Sequence, residues 1–354
     1  MKESPVKLTL NLLLIMIPIA AVLWWTKASP ILVFGSAALS IVPLSKIVGG
    51  ATESLAVHIG PTLGGLLNAS MGNAPELIIG FFALKNGLLK VVKASLTGSI
   101  LGNLLLTLGL AMFVGGLTHP VQRFNVRSAR MSTTLMMLAV VGLMVPALFH
   151  FSSPAAEHEI SRKIAFILLL VYGLSLIYTL ATHRKLFETA GPRELNLAQT
   201  GSWKRALLNL AGATLALAFV SEILTDSLEP ATKMLHLNAV FAGIILLASV
   251  SNVSSIMNAI TFARKNQMDL VVGSVIGAAT QIALLVAPAL IFASLFTSTP
   301  MDLLFTRLEI VAVAIAVILV NNITFDGESD WLEGAMLVAV FLMLGVGFYF
   351  LKVE

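Results

Sequence analysis

Cysteine is absent from the 354-residue sequence. That excludes a disulfide framework, a thiolate metal centre and a thiol nucleophile. Charge is scarce too: only 11% of the residues are Asp, Glu, Lys or Arg, against about a quarter in soluble domains. So few charges cannot cover a water-exposed globule of this length. The six histidines are scattered, without metal-ligand spacing. No Gly-rich phosphate loop, His-Glu-x-x-His or Gly-x-Ser-x-Gly occurs, so nucleotide hydrolysis and the common hydrolytic chemistries have no carrier. These absences argue against a soluble enzyme, a nucleic-acid binder and a disordered chain.

What is present is apolar sequence: 57% of the residues are hydrophobic, and the mean hydropathy is +0.94. A membrane-spanning helix needs roughly 20 mostly apolar residues. Eleven such tracts lie at about 8–25, 30–59, 64–84, 91–116, 131–150, 162–182, 204–225, 237–262, 270–296, 305–323 and 331–351. The first follows Lys2 and Lys7, but no small-residue cleavage site comes after it, so it reads as a span rather than a signal peptide. The expected fold is an all-α membrane protein of about eleven transmembrane helices, with the lipid bilayer as its partner. No nucleic acid and no cofactor are expected, and the oligomeric state is left open. The longest polar stretch, 183–204, divides the chain. The expected units are an additional helix (1–27), a first repeat (28–182), a connecting loop (183–203) and a second repeat (204–354).

Basic residues set the expected orientation. With the N-terminus inside, inner loops hold 12 of the 22 Lys and Arg, or 13 with Lys46. Arg123, Arg127 and Arg130 form one inner anchor, and Arg184, Lys185, Arg193, Lys204 and Arg205 another. The expectation is N-inside and C-outside, in the cell (inner) membrane.

Two stretches repeat. Gly72-Asn73-Ala74-Pro75-Glu76 leads to Lys85-Asn86, and Ser251-Asn252-Val253-Ser254-Ser255 leads to Lys265-Asn266. The asparagines are 252 − 73 = 179 residues apart. A small-residue span follows each: Ser95 to Asn103, with Gly98 and Gly102, and Ser274 to Gln281, with Gly277. Equivalent elements lie five spans apart, so the copies have opposite orientations in the bilayer. Inverted repeats of this kind are a frequent architecture of secondary transporters, with the site at mid-membrane between the copies.

The segments Gly72 to Ile79 and Ala94 to Asn103 resemble the first repeat motif of the cation/proton exchangers in the calcium/cation antiporter superfamily. Ala51-Thr52-Glu53-Ser54, Gly60-Pro61, Gly64 to Ala69, Ser221-Glu222, Lys265 to Asp269, Thr280 to Ala283 and Asp326 to Ala335 are also similar to that family. The resemblance implies two inverted five-helix halves of sodium/calcium exchanger type. It implies secondary active antiport, calcium or another divalent cation against protons, and no enzyme activity. One position departs: where the family's second motif reads Gly-Asn-Ala-x-Glu-His, this chain has Ser255 and Ile256. An antiporter with altered ion or coupling is therefore the alternative, and a membrane protein that binds or senses without transporting is another.

A carboxylate inside a bilayer is expensive, so Glu76 is expected to face the bundle interior or a water-filled cavity. Asn73, Asn252, Asn103, Gln281, Ser99 and Ser255 would supply neutral oxygens, and calcium takes six to eight. Glu76, Asn73 and Asn252 are the expected metal contacts. The bland reading of the other polar residues is hydrogen bonding between helices. Glu53 and Glu222, in corresponding early spans, are candidates for proton coupling or gating. With Ser255 in place of a carboxylate, a calcium-loaded site carries net +1, and Glu222 is the expected replacement acid.

Overall fold

The computed structural model describes residues 12–149, 157–183 and 202–351. It is almost entirely helical: α1 (Met16–Trp25), α2 (Pro30–Ile59), α3 (Pro61–Met71), α4 (Ala74–Lys85), α5 (Leu89–Gly116), α6 (Val126–Phe149), α7 (Glu157–Thr182), α8 (Trp203–Met234), α9 (Ala239–Arg264), α10 (Met268–Ser294), α11 (Arg307–Ile323) and α12 (Trp331–Tyr349). Eight of these are long and apolar enough to cross a membrane: α2, α5 to α10 and α12. The remaining sequence tracts correspond to the short α1, to α11 and to the pair α3–α4. The tract at 64–84 is thus two helices, not one.

Proline is the reason. Pro75 has no N–H to offer the carbonyl of Met71, and its ring crowds that turn. The chain bends out at Asn73, with φ −111° and ψ 24°, and a new helix starts at Ala74. The counterpart of Pro75 in the second half is Ser254 (75 + 179), which does have an N–H, and α9 runs unbroken through it.

Helix starts follow local chemistry elsewhere. Pro30 and Pro61 stand in the first turns of α2 and α3, where a missing N–H costs nothing. Reciprocal capping boxes begin α11 (Thr306 with Glu309) and α12 (Asp330 with Glu333). Among the described residues, four π-helical segments lie in the longer helices, at Gly102–Thr107, Tyr178–Thr182, Ala242–Leu247 and Ile282–Val286. The first and last are equivalent under the repeat, since 107 + 179 = 286. Such bulges widen a helix locally and recur at functional sites.

Two apolar clusters form the interior. One joins α5, α6, α7, α9, α10, α11 and α12 through residues such as Leu105, Met112, Ile276 and Leu290. The other joins α1, α2 and α8 through Ile41, Leu217 and Ile223. Helix α4 feeds both: Ala74 and Ile79 belong to the second, Ala83 and Leu84 to the first. The innermost helices are α5 and α10, whose apolar stretches are 78% and 67% buried against 17% for α7.

Towards the helix ends, polar contacts between elements form two groups at opposite ends of the bundle. One has Lys85 with Glu222, Asn86 with Asp226, Lys93 with Asp302, and Asn238 with the carbonyls of Phe348 and Tyr349. The other has Arg123 with Glu328, Asn125 with Asp269, Gln122 with Asn266, and the two-stranded sheet of β1 (Gln122–Arg123) and β2 (Glu328–Ser329). Within the described residues this is the pattern that spans alternating in direction produce.

Candidate cation site

The site forms where the break between α3 and α4 meets the two innermost helices. Asn73, 4% exposed, sits at the start of α4 and donates from Nδ2 to Gln281 Oε1 on α10, 2.6 Å away. Asn103, 1% exposed, stands at the π segment of α5. Its Nδ2 donates to the Ser99 carbonyl at 2.9 Å and to Asn252 Oδ1 at 3.3 Å. The two crossings are near-symmetric. Gln281 is equivalent to Gly102, one residue before Asn103, so each motif asparagine meets an amide of the opposite half at almost the same register.

Glycine makes the approach possible. A Cβ on Gly102 would stand 2.8 Å from Asn252 Nδ2.

Glu76 lies in the first turn of α4, where the unpaired N–H groups of a helix start favour a negative charge. The Ser251 hydroxyl of α9 stands beside its carboxyl group. Oε2 of Glu76 is buried without a hydrogen-bond partner, as are Asn103 Oδ1 and Asn252 Nδ2. Buried polar atoms are normally satisfied, so a carboxylate oxygen and an amide oxygen left over in one cluster fit a ligand that takes oxygens. Glu309 provides the contrast. It is more deeply buried, at 3% exposure, but Thr97 reaches one of its oxygens and Thr306 the other, so its carboxylate is used up in capping α11.

Of the residues expected from sequence, Asn73, Glu76, Ser99, Asn103, Asn252 and Gln281 come together here, Ser99 through its carbonyl. Ser255, the repeat equivalent of Glu76, is half-buried one turn beyond Ser251 and takes no part in these hydrogen bonds. Glu53 lies elsewhere. Ser254 touches the Val42 carbonyl, and Glu53 is 53 − 42 = 11 residues further along α2, about 16 Å at 1.5 Å per residue. Glu222 also lies elsewhere, in a 2.8 Å salt bridge with Lys85 whose side chains are 36% and 55% exposed. The expected replacement acid is therefore not in the cluster. Among the described residues no group of three or more His, Asp or Glu could hold a metal, so the cluster is one carboxylate surrounded by amides, carbonyls and hydroxyls.

Ser251 was missed by motif reading because the motif has Gly there. Its equivalence to Gly72 (72 + 179) is the signal that finds it.

The two seams around the cluster differ. In the second half, the start of α9 packs tightly on α5: a Cβ on Gly98 would stand 2.4 Å from the Ile244 carbonyl, and one on Gly243 2.5 Å from Ala94 Cβ. In the first half, α3 leans on α2, with a Cβ on Gly64 meeting the Ala56 carbonyl at 2.4 Å. Gly277, the counterpart of Gly98, meets nothing within 4 Å. The cluster is closed on the α9 side and loose on the α3 side.

The chain is similar to known proteins along nearly its whole length. The sodium/calcium exchanger protein family model matches residues 29–181 and again 205–350. A Ca(2+)/H(+) antiporter of Aphanothece halophytica is 42% identical over 96% of this chain and 95% of its own length. The Ca(2+)/H(+) antiporter ChaA of Bacillus subtilis is 39% identical over 94% and 95%. The solved structure of native YfkE superimposes with a TM-score of 0.84 at 36% identity, covering 97% of this chain and all of that one.

Proposed function

This chain belongs to the sodium/calcium exchanger protein family, and on that premise we propose that it is a secondary antiporter exchanging calcium for protons across a membrane. The observation that carries the reading is Glu76: one buried carboxylate, with a free oxygen, at the break between α3 and α4. Relatives named as calcium/proton antiporters, similar along nearly their whole length, support the ion pair.

In this reading Glu76 binds calcium as the carboxylate and carries a proton on the return. Asn73, Asn103, Asn252 and Gln281 supply amide oxygens, Ser99 and the carbonyl freed at Met71 supply backbone oxygens, and water completes the shell. The amide pairs Asn73–Gln281 and Asn103–Asn252 hold the site while it is empty of cation and open to it when calcium enters. Ser255 lies at its margin. Eleven spans in two inverted repeats, with the N-terminus inside and the C-terminus outside, place α3 on the inner side. The loose seam then faces inwards, and alternating access consists of tightening it while the α9 seam opens. A cell membrane fits the basic inner loops.

Purified protein in sealed vesicles with an imposed pH gradient tests the reading. Wild type should take up calcium as protons leave, and Glu76→Gln should abolish both while eluting as folded protein. Unchanged flux through correctly inserted Glu76→Gln would remove Glu76 from the mechanism.

A further inference from the structure

A cavity of about 600 Å³ opens between the end of α1, the start of α2 and the last turns of α8, a size typical of small-molecule sites. Trp24, Trp25, Lys27, Val33, Asp226 and Pro230 are among its walls. It lies at the end of the bundle where Lys85 meets Glu222 and Asn86 meets Asp226. Along α4, Lys85 is 85 − 76 = 9 residues from Glu76, about 14 Å at 1.5 Å per residue, so the cavity is separate from the cation cluster. Tryptophans are enriched at membrane–water boundaries. Trp24 and Trp25, at the end of an apolar helix, put the cavity at headgroup depth. The Trp25 ring is 86% exposed, so a face of it is free of protein.

Two opposite charges line this cavity without neutralising each other. Among the described residues, Lys27 forms no ion pair with Asp226 or with any other acid. Lys27 stands in the turn that ends α1, with φ 53°, a left-handed conformation in which glycine is the usual residue. On the opposite wall, Asp226 Oδ1 accepts from Asn86 Nδ2 at 2.7 Å, which leaves Oδ2 uncommitted. Pro230, four residues further along α8, has no N–H to give the Asp226 carbonyl. Lys85, the cation of α4 at this end, is taken by Glu222. One wall therefore offers a cation, and the other a carboxylate oxygen and a backbone carbonyl.

We propose that this cavity binds one phospholipid of the bilayer with an ethanolamine phosphate headgroup. That headgroup carries both signs, as the walls do. Its phosphate meets Lys27, and its ammonium meets Asp226. A primary ammonium has three N–H donors, which suit the carboxylate oxygen and the carbonyl of Asp226 together. The face of Trp25 adds cation–π attraction. The acyl chains lie along the apolar wall at Pro30 and Val33. A choline headgroup has the same charges but no N–H, so it leaves the acceptors of Asp226 unused. A glycerol phosphate headgroup offers Asp226 no cation and brings a negative charge towards it. The proposal concerns a site apart from Glu76 and does not depend on which ions the protein exchanges.

The test uses the full-length protein and its own tryptophans. Of the four in the chain, Trp203→Phe with Trp331→Phe leaves Trp24 and Trp25. This variant is placed in phosphatidylcholine vesicles with a minor share of lipid brominated on its acyl chains, the brominated lipid carrying an ethanolamine, choline or glycerol headgroup. Bromine quenches tryptophan fluorescence on contact. At equal share, the ethanolamine lipid should quench several-fold more than the other two. Lys27→Gln and Asp226→Asn should each bring its quenching down to the choline level, and Lys27→Arg, which keeps the charge, should preserve it. Equal quenching by all three headgroups would mean that the cavity only touches the surrounding bilayer, and would overturn the proposal. Stronger quenching by the choline or the glycerol lipid would overturn it in favour of that headgroup. Native mass spectrometry of the wild type, released from a mixture of the three lipids, decides the matter without any substitution. Preferential retention of the ethanolamine lipid upholds the site, and retention without preference overturns it.

Discussion

Asn103 reaches Asn252 across the boundary between the two halves at 3.3 Å, and each is left with one buried amide atom that nothing in the protein satisfies. Pairing of this kind holds two helices in register while reserving coordination capacity. The neighbouring pair, Asn73 with Gln281 at 2.6 Å, also ties the two halves together. A cation entering between them competes with amide–amide hydrogen bonds worth about 1 kcal/mol each, a modest barrier to opening the site.

Asn103→Ala and Asn252→Ala should each weaken calcium binding about tenfold, and the double variant should be little worse than either single one. Residues in direct contact are non-additive. Calorimetric titration of the three variants checks this, and strict additivity would show that the asparagines act separately.

Pro75→Ala restores the N–H missing from the turn after Met71 and removes the ring clash, so α3 and α4 should join as α9 already does through Ser254. The thermal midpoint is expected to hold or rise, while the exchange rate falls at least tenfold because the carbonyl freed at Met71 is recaptured. A variant that transports at the wild-type rate would make the break dispensable.

Glu222→Gln should leave calcium flux within about twofold of wild type, because the partly exposed pair with Lys85 is screened by water. Flux measured beside Glu76→Gln, which should be inactive, separates a surface ion pair from a carrier. Loss of flux in Glu222→Gln would bring this acid back into the transport path.

Topology can be checked cleanly because the chain has no cysteine of its own. Leu195→Cys and Glu354→Cys should be labelled by a membrane-impermeant thiol reagent from opposite sides, the first from inside. Labelling of both from one side would contradict an odd number of spans and with it the inverted repeat.

A last expectation concerns packing. Gly334 of α12 lies so close to α5 that a Cβ would stand 2.3 Å from the Phe113 nitrogen. Gly334→Ala should therefore force the helices apart and cost about 1–3 kcal/mol. A lower thermal midpoint in detergent, without change in the proton-to-calcium ratio of what remains folded, is the expected readout.

Much of this was determined by sequence alone. Low charge and the apolar tracts required a bilayer, since a chain that cannot cover itself with charge must be covered by lipid. The 179-residue offset between Asn73 and Asn252 marked the repeat, and the motifs around Glu76 marked the family. Residues sharing one short motif are close in space because they are close in the chain, so Asn73 and Glu76 were legible as neighbours. The tertiary structure alone decided the rest. Glu53 and Glu222 sit in equally suggestive segments, yet one lies far along α2 from the cluster and the other faces Lys85. Which side of a long helix points inwards, and at what depth, depends on the helices packed around it. Ser251, hidden at a motif glycine, touches Glu76 because α9 runs straight where α3 and α4 bend. The unequal seams at Gly98 and Gly277 come from the same cause: two copies of nearly one pattern cannot both close on a single site, and only their packing selects which one does.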